Sequence, residues 1–109
     1  MLIYISSATD ATEDYELVGS IKQSLLKDEH EIITFYEVKE KNPDKDAEFY
    51  IAEIGNIMNN YPFDMIIFMP GWVEDKKSNM EIITAQFGHT LICEYIDGEV
   101  KPINKTHEK

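Results

Sequence analysis

The hydrophobic pattern falls into four short apolar runs separated by longer amphipathic or polar stretches. Leu2-Ile3-Tyr4-Ile5 opens the chain, and Ile32 to Phe35, Met65 to Met69 and Thr90 to Tyr95 follow. Each is too short for a helix of its own. The third, Met65-Ile66-Ile67-Phe68-Met69, is also too apolar for a strand with one wet face, so it predicts a strand buried on both sides. Between the runs the period changes. Leu17, Ile21 and Leu25, with Val18 beside them, predict a helix from about Glu13 to Lys27. Glu13, Asp14 and Glu16 lie in its first turns, where the helix dipole favours them. Ala47, Ile51, Ile54 and Met58 predict a second helix, from about Asp44 to Asn59, and Asn59-Asn60-Tyr61-Pro62 breaks it.

After the third run, Pro70-Gly71 stops the strand and Glu74-Asp75-Lys76-Lys77 is a charged loop. A third helix is expected from Ser78-Asn79-Met80-Glu81, closed by Gly88 as a left-handed cap. Lys27 to His30 and Asp97-Gly98 are expected turns. Glu37 to Asp46 is charged, contains Asn42-Pro43 and is expected to be a loop. Lys101-Pro102-Ile103-Asn104 to Lys109 is polar and expected to fray.

The order βαβαβαβ predicts one α/β domain over residues 1–109, a flavodoxin-like three-layer sandwich with a parallel sheet of strand order 2-1-3-4. In such sheets ligands bind at the carboxyl ends of the strands, at the switch point between strands one and three. Those ends are Ser6-Ser7 and Pro70-Gly71-Trp72, which should line one crevice.

Charge narrows the partners. The net charge is −11, from 21 acids against 10 lysines, with no arginine. Up to Asn60 there are 13 acids and 5 lysines, so most of the excess lies in the first half. Such a field repels nucleic-acid phosphates, and no arginine fork exists to hold one, so direct nucleic-acid binding is not expected. An acidic surface of one sign instead suits a basic protein partner. No apolar span is long enough for a membrane helix, and the start lacks a signal-peptide pattern. One cysteine, Cys93, rules out a disulfide within the chain and fits a cytoplasmic setting. His30, His89 and His107 are scattered without ligand spacing, so neither a metal nor another cofactor is expected.

Ile3-Tyr4-Ile5-Ser6, Pro70-Gly71-Trp72 and a glutamate nine residues past the tryptophan, Glu81, together resemble the nucleoside 2-deoxyribosyltransferases and their small phage and bacterial relatives. The resemblance spans nearly the whole chain. It implies a nucleoside or related ligand, cleavage or exchange of an N-glycosidic bond, and a homodimer or higher oligomer. It assigns the nucleophile to Glu81, an orienting hydroxyl to Tyr4, sugar binding to Asp75 and the base-proton carboxylate to Glu53. It also places Asn104, within Lys101-Pro102-Ile103-Asn104, in a neighbouring subunit's site. With Ser6, Ser7 and Trp72 at the strand ends, these complete the expected site.

The chemistry that the resemblance implies parallels a retaining glycosidase. Glu81 attacks the anomeric carbon and holds a glycosyl ester, and Glu53 protonates the departing base. The chain departs from the family in two places. Glu53 stands where the family has aspartate. Lys76-Lys77-Ser78-Asn79 stands where the family is glycine-rich, and lysine side chains there narrow or block the pocket.

Each residue also has a plainer reading. Ser78-Asn79-Met80-Glu81 matches a capping box, in which Glu81 only caps its helix. Asp75 is otherwise a solvated loop acid, Glu53 the polar side of its helix, Tyr4 a core residue, and Trp72 a cover for the sheet end. Two further functions therefore stand beside the enzyme: a pocket that sequesters a nucleotide-like ligand without turnover, and an acidic protein that binds a basic partner.

Overall fold

The computed structural model describes residues 1–103. A five-stranded sheet of order β2-β1-β3-β4-β5 forms its centre. The strands are β1 (Leu2–Ser6), β2 (Glu31–Thr34), β3 (Met65–Phe68), β4 (Leu91–Ile96) and β5 (Glu99–Pro102). The helices are α1 (Tyr15–Lys27), α2 (Phe35–Lys41), α3 (Ala47–Asn60) and α4 (Lys76–Ala85). β1 pairs in parallel with β2 and with β3, and β3 in parallel with β4. The expected order 2-1-3-4 is present, with one strand added.

Strand periodicity divides the core into two layers. Ile3, Ile5, Ile67, Met69 and Cys93 face Val18, Ile21 and Leu25 of α1. Tyr4, Ile66, Phe68 and Ile92 face Phe35, Val38, Tyr50, Ile54 and Ala85 of the other three helices. β1 and β3 are thus buried on both faces, as their unbroken apolar runs require. Tyr4 stacks on Phe63 at 5.0 Å between ring centroids, and Phe35 meets Tyr50 edge-on at 5.1 Å.

Four expectations need correction. The stretch after the second strand is not a loop throughout: Phe35–Lys41 is helical. Thr34 and Glu37 form a capping box that starts it, and burial of Phe35, Tyr36 and Val38 holds it down. The sheet is not wholly parallel. β4 turns back through Asp97 and Gly98, both at positive φ (53° and 79°), and β5 pairs antiparallel with it. Asp-Gly is the pair that a two-residue hairpin favours. Gly88 is not a left-handed cap, since the positive-φ glycines are Gly71 and Gly98, and α4 ends at Ala85 with Gln86 in right-handed geometry. Finally, α4 begins at Lys76, two residues earlier than expected, because Asp75 caps it. Among the described residues no helix is long and apolar enough to cross a membrane.

Candidate functional site

Residues four apart on a helix share a face, and residues two apart on a strand share a side. Lys77 and Glu81 therefore point together from α4, and Tyr4 and Ser6 together from β1. The four meet at the carboxyl end of β1, and all are buried.

The Tyr4 hydroxyl donates to Glu81 Oε2 at 2.7 Å, and Ser6 Oγ donates to Oε1 at 2.5 Å. Lys77 Nζ donates to both oxygens, at 3.1 Å to Oε1 and 3.0 Å to Oε2. It also donates to Ser6 Oγ at 3.0 Å, so the serine hydroxyl passes the interaction on. The ammonium lies 4.1 Å from the centre of the Phe35 ring, which adds a cation–π contact. Glu81 thus accepts four hydrogen bonds, about the full lone-pair capacity of a carboxylate.

Burial pushes the Lys77 ammonium below its ordinary value, and the charge of Glu81 pulls it back only in part. Burial, then the neighbouring Glu81 charge, drives the Tyr4 hydroxyl well above 10, so Tyr4 is a neutral donor. The unit is a salt-bridged pair inside a shell of neutral donors. Lys77 is 0% exposed and Glu81 3%, and neither lines any of the three principal clefts.

Asp75 sits beside this cluster as the cap of α4. Its Oδ2 accepts from Ser78 N at 2.9 Å and Ser78 Oγ at 2.8 Å, and its Oδ1 accepts from Thr9 N at 2.9 Å. Partial burial raises its pKa, but these donors outweigh it and hold the carboxyl below 3.8. Asp75 thereby ties the loop after β1 to the start of α4. The capping role that the Ser78-x-x-Glu81 pattern suggested for Glu81 belongs to Asp75, and Glu81 points inward instead. Asn79 completes the turn, its side-chain amide donating to the carbonyls of Trp72, Val73 and Asp75 at 3.2, 2.9 and 2.8 Å.

The remaining expected residues are not in the cluster. Trp72 opens a short 3-10 turn, Trp72–Glu74, and its indole leans on Phe68 at 5.7 Å while Nε1 donates to Glu94 at 3.2 Å. It covers the sheet end. Ser7, just past the end of β1, is buried, and among the described residues its hydroxyl has no hydrogen-bond partner. Glu53 is half-buried on α3 and lines a separate cleft with Ile33, Val38, Ile57 and Tyr61. It makes no hydrogen bond to the Glu81 cluster. Asn104 lies outside the described residues.

The residue whose role sequence reasoning missed is Lys77, expected to narrow or block the pocket from a loop rather than to pair with Glu81 from a helix. The available signal was the i, i+4, i+8 spacing of Lys77, Glu81 and Ala85, which puts a lysine on the inward face of α4. Among the described residues no group of three or more histidine, cysteine, aspartate or glutamate side chains is placed to hold a metal. No protein-family model, curated protein or solved structure matches the chain.

Proposed function

We propose that the chain is a nucleoside deoxyribosyltransferase-like protein of flavodoxin-like arrangement that works by binding, with turnover shut off at Glu81. The observation that carries this is the buried Lys77–Glu81 pair. A nucleophilic carboxylate needs a lone pair free to approach an anomeric carbon. All those of Glu81 are engaged, and Lys77 caps both of its oxygens inside the core. The other parts of such a reaction are engaged elsewhere too. Asp75 is committed to the helix cap, and Glu53 lies in a different cleft from the one its acid role requires.

The ligand of this reading is a nucleoside or related deoxyribosyl compound at the carboxyl ends of β1 and β3, where the switch in strand order opens the sheet. It is admitted only when the Lys77 side chain swings away. The test is a panel of deoxynucleosides scored for melting shift and for released base. Binding raises the melting temperature. A shift without base release is expected, and base release by the unmodified protein would refute this reading.

One specific observation favours a second reading, that of an active enzyme. Tyr4 and Ser6 each donate to a different oxygen of Glu81, an arrangement that orients a nucleophile as well as a structural acid. Lysine is unbranched and rotatable, so a substrate that displaces Lys77 would meet a carboxyl still oriented by Tyr4 and Ser6. The same assay separates the two readings.

A further inference from the structure

The far side of β2 is the open edge of the sheet, since among the described residues β2 pairs only with β1. A cleft flanks this edge on each face. On the α3 side a cleft of about 670 Å³ has an apolar floor of Ile33, Val38, Ile57 and Tyr61. On the α1 side a cleft of about 240 Å³ is lined by Tyr15, Val18, Thr34 and Tyr36. Glu37 and Glu40 of α2 border both.

The rims are acidic. Glu53 adds to the larger cleft, which Lys41 also lines, and Glu16 to the smaller, which Lys22 also lines, so each has three glutamates against one lysine. Glu37 is paired with Lys22, but Glu16, Glu40 and Glu53 have no ion-pair partner among the described residues. Exposed edges are usually blunted by short length, charged side chains or proline, because unpaired backbone groups recruit other strands. This edge is short, and its one charge is the acidic Glu31, which turns away acidic partners and suits basic ones.

We propose that the β2 edge is a docking site for an extended, basic segment of a partner protein. The segment adds as a further strand and seats alternate side chains in the two clefts. Main-chain hydrogen bonds to β2 hold it, and successive side chains point to opposite faces, one toward each apolar floor. Lysine or arginine flanking the apolar residues meets the glutamate rims. Charge also decides against a second copy of this chain, because a symmetric pairing of two β2 edges would bring the same carboxylates together. The proposal is independent of the nucleoside reading, since it uses neither Lys77 nor Glu81.

The test is NMR titration of the whole chain with the peptide Lys-Lys-Val-Ile-Val-Lys-Lys. Two control peptides accompany it, one with glutamate for every lysine and one with proline for the central isoleucine. The expected result is amide shifts concentrated in β2, α2 and the parts of α1 and α3 that line the two clefts, with binding that weakens as salt rises. The proline peptide should bind at least roughly tenfold more weakly, because it lacks a ladder donor. The charge-reversed protein Glu40→Lys/Glu53→Lys should lose affinity to a similar order. If that variant folds poorly, the proline comparison on the unmodified protein still decides. Four results would overturn the proposal: no binding at low salt, equal binding of the proline peptide, shifts centred elsewhere on the surface, or a dimer whose own β2 edges are paired.

Discussion

Lys77 Nζ stands 3.1 and 3.0 Å from the two carboxylate oxygens of Glu81, one helical turn away, with both side chains sealed from solvent. A surface pair at this spacing contributes a few tenths of a kcal/mol. Here each charge is needed to offset burial of the other.

Truncating one partner should therefore be costly. Lys77→Met leaves Glu81 buried without its cation and is expected to destabilise the fold by about 3–5 kcal/mol. Lys77→Met/Glu81→Leu removes both charges and should recover most of that loss, because apolar replacement of a whole buried pair is often close to neutral. Urea denaturation of the two single variants and the double variant gives the coupling energy directly. Near-additive losses would show that the pair is not the unit described.

Glu81→Gln separates the inward carboxylate from the capping box that the local sequence suggests. A cap would tolerate glutamine, with a loss well below ~1 kcal/mol. The buried pair predicts a loss of about 3–5 kcal/mol, since the ammonium of Lys77 would face an amide. The denaturation midpoint is the readout, and a change of only a few tenths would restore the capping account.

Asp75 sets an acid limb in the stability profile. Its folded pKa lies below the ordinary 3.8, so its contribution is fully present above 3.8 and is lost as pH falls through the folded value. Asp75→Asn keeps a capping oxygen but has no charge to titrate. The stability gap between wild type and Asp75→Asn should shrink as pH drops below 3.8. Chemical denaturation across that range tests it, and a constant gap would show that the carboxylate is not held by Thr9 and Ser78 as described.

Gly71 links β3 to the turn that carries Trp72 and Asp75, at φ +97°. The nearest atom to an added Cβ is the Ala8 Cβ at 3.9 Å, so space does not oppose a side chain. The backbone does, and Gly71→Ala should cost about 1–2 kcal/mol. A thermal midpoint equal to wild type would show that the turn adopts another conformation.

What was legible in the sequence follows the strength of the local signals. β1 and β3 stood out because a strand buried on both faces leaves an unbroken apolar run. α1 and α3 stood out because their apolar stripes repeat with the helical period. α2 was hidden because its exposed side is all charge, Glu37, Lys39, Glu40 and Lys41, which outweighed three buried residues in seven. β5 was hidden because all four of its residues are exposed, so no alternation marks it, although Asp97-Gly98 announced the turn. At the site, Tyr4, Ser6 and Glu81 were expected near one another and lie together, but Ser7 does not join them and the start of α4 was placed two residues late. That shift gave Glu81 the capping reading that belongs to Asp75 and left Lys77 in a loop. Placing the cap at Asp75 turns Lys77 inward, and the rest of the cluster follows. Glu53 could not be assigned to a cleft from its own helix, because that cleft is made jointly with β2 and α2.

The most direct test of the closed Glu81 site is chromatographic measurement of free base after incubation of the unmodified protein with each natural deoxynucleoside. A second free base is included as acceptor in parallel, and Glu81→Gln serves as the control. The account predicts no released or exchanged base above the Glu81→Gln background, because Glu81 is buried and its lone pairs are taken up by Tyr4, Ser6 and Lys77. Base release by the unmodified protein would contradict it, and its disappearance in Glu81→Gln assayed under conditions where circular dichroism shows that variant folded would establish Glu81 as a working nucleophile.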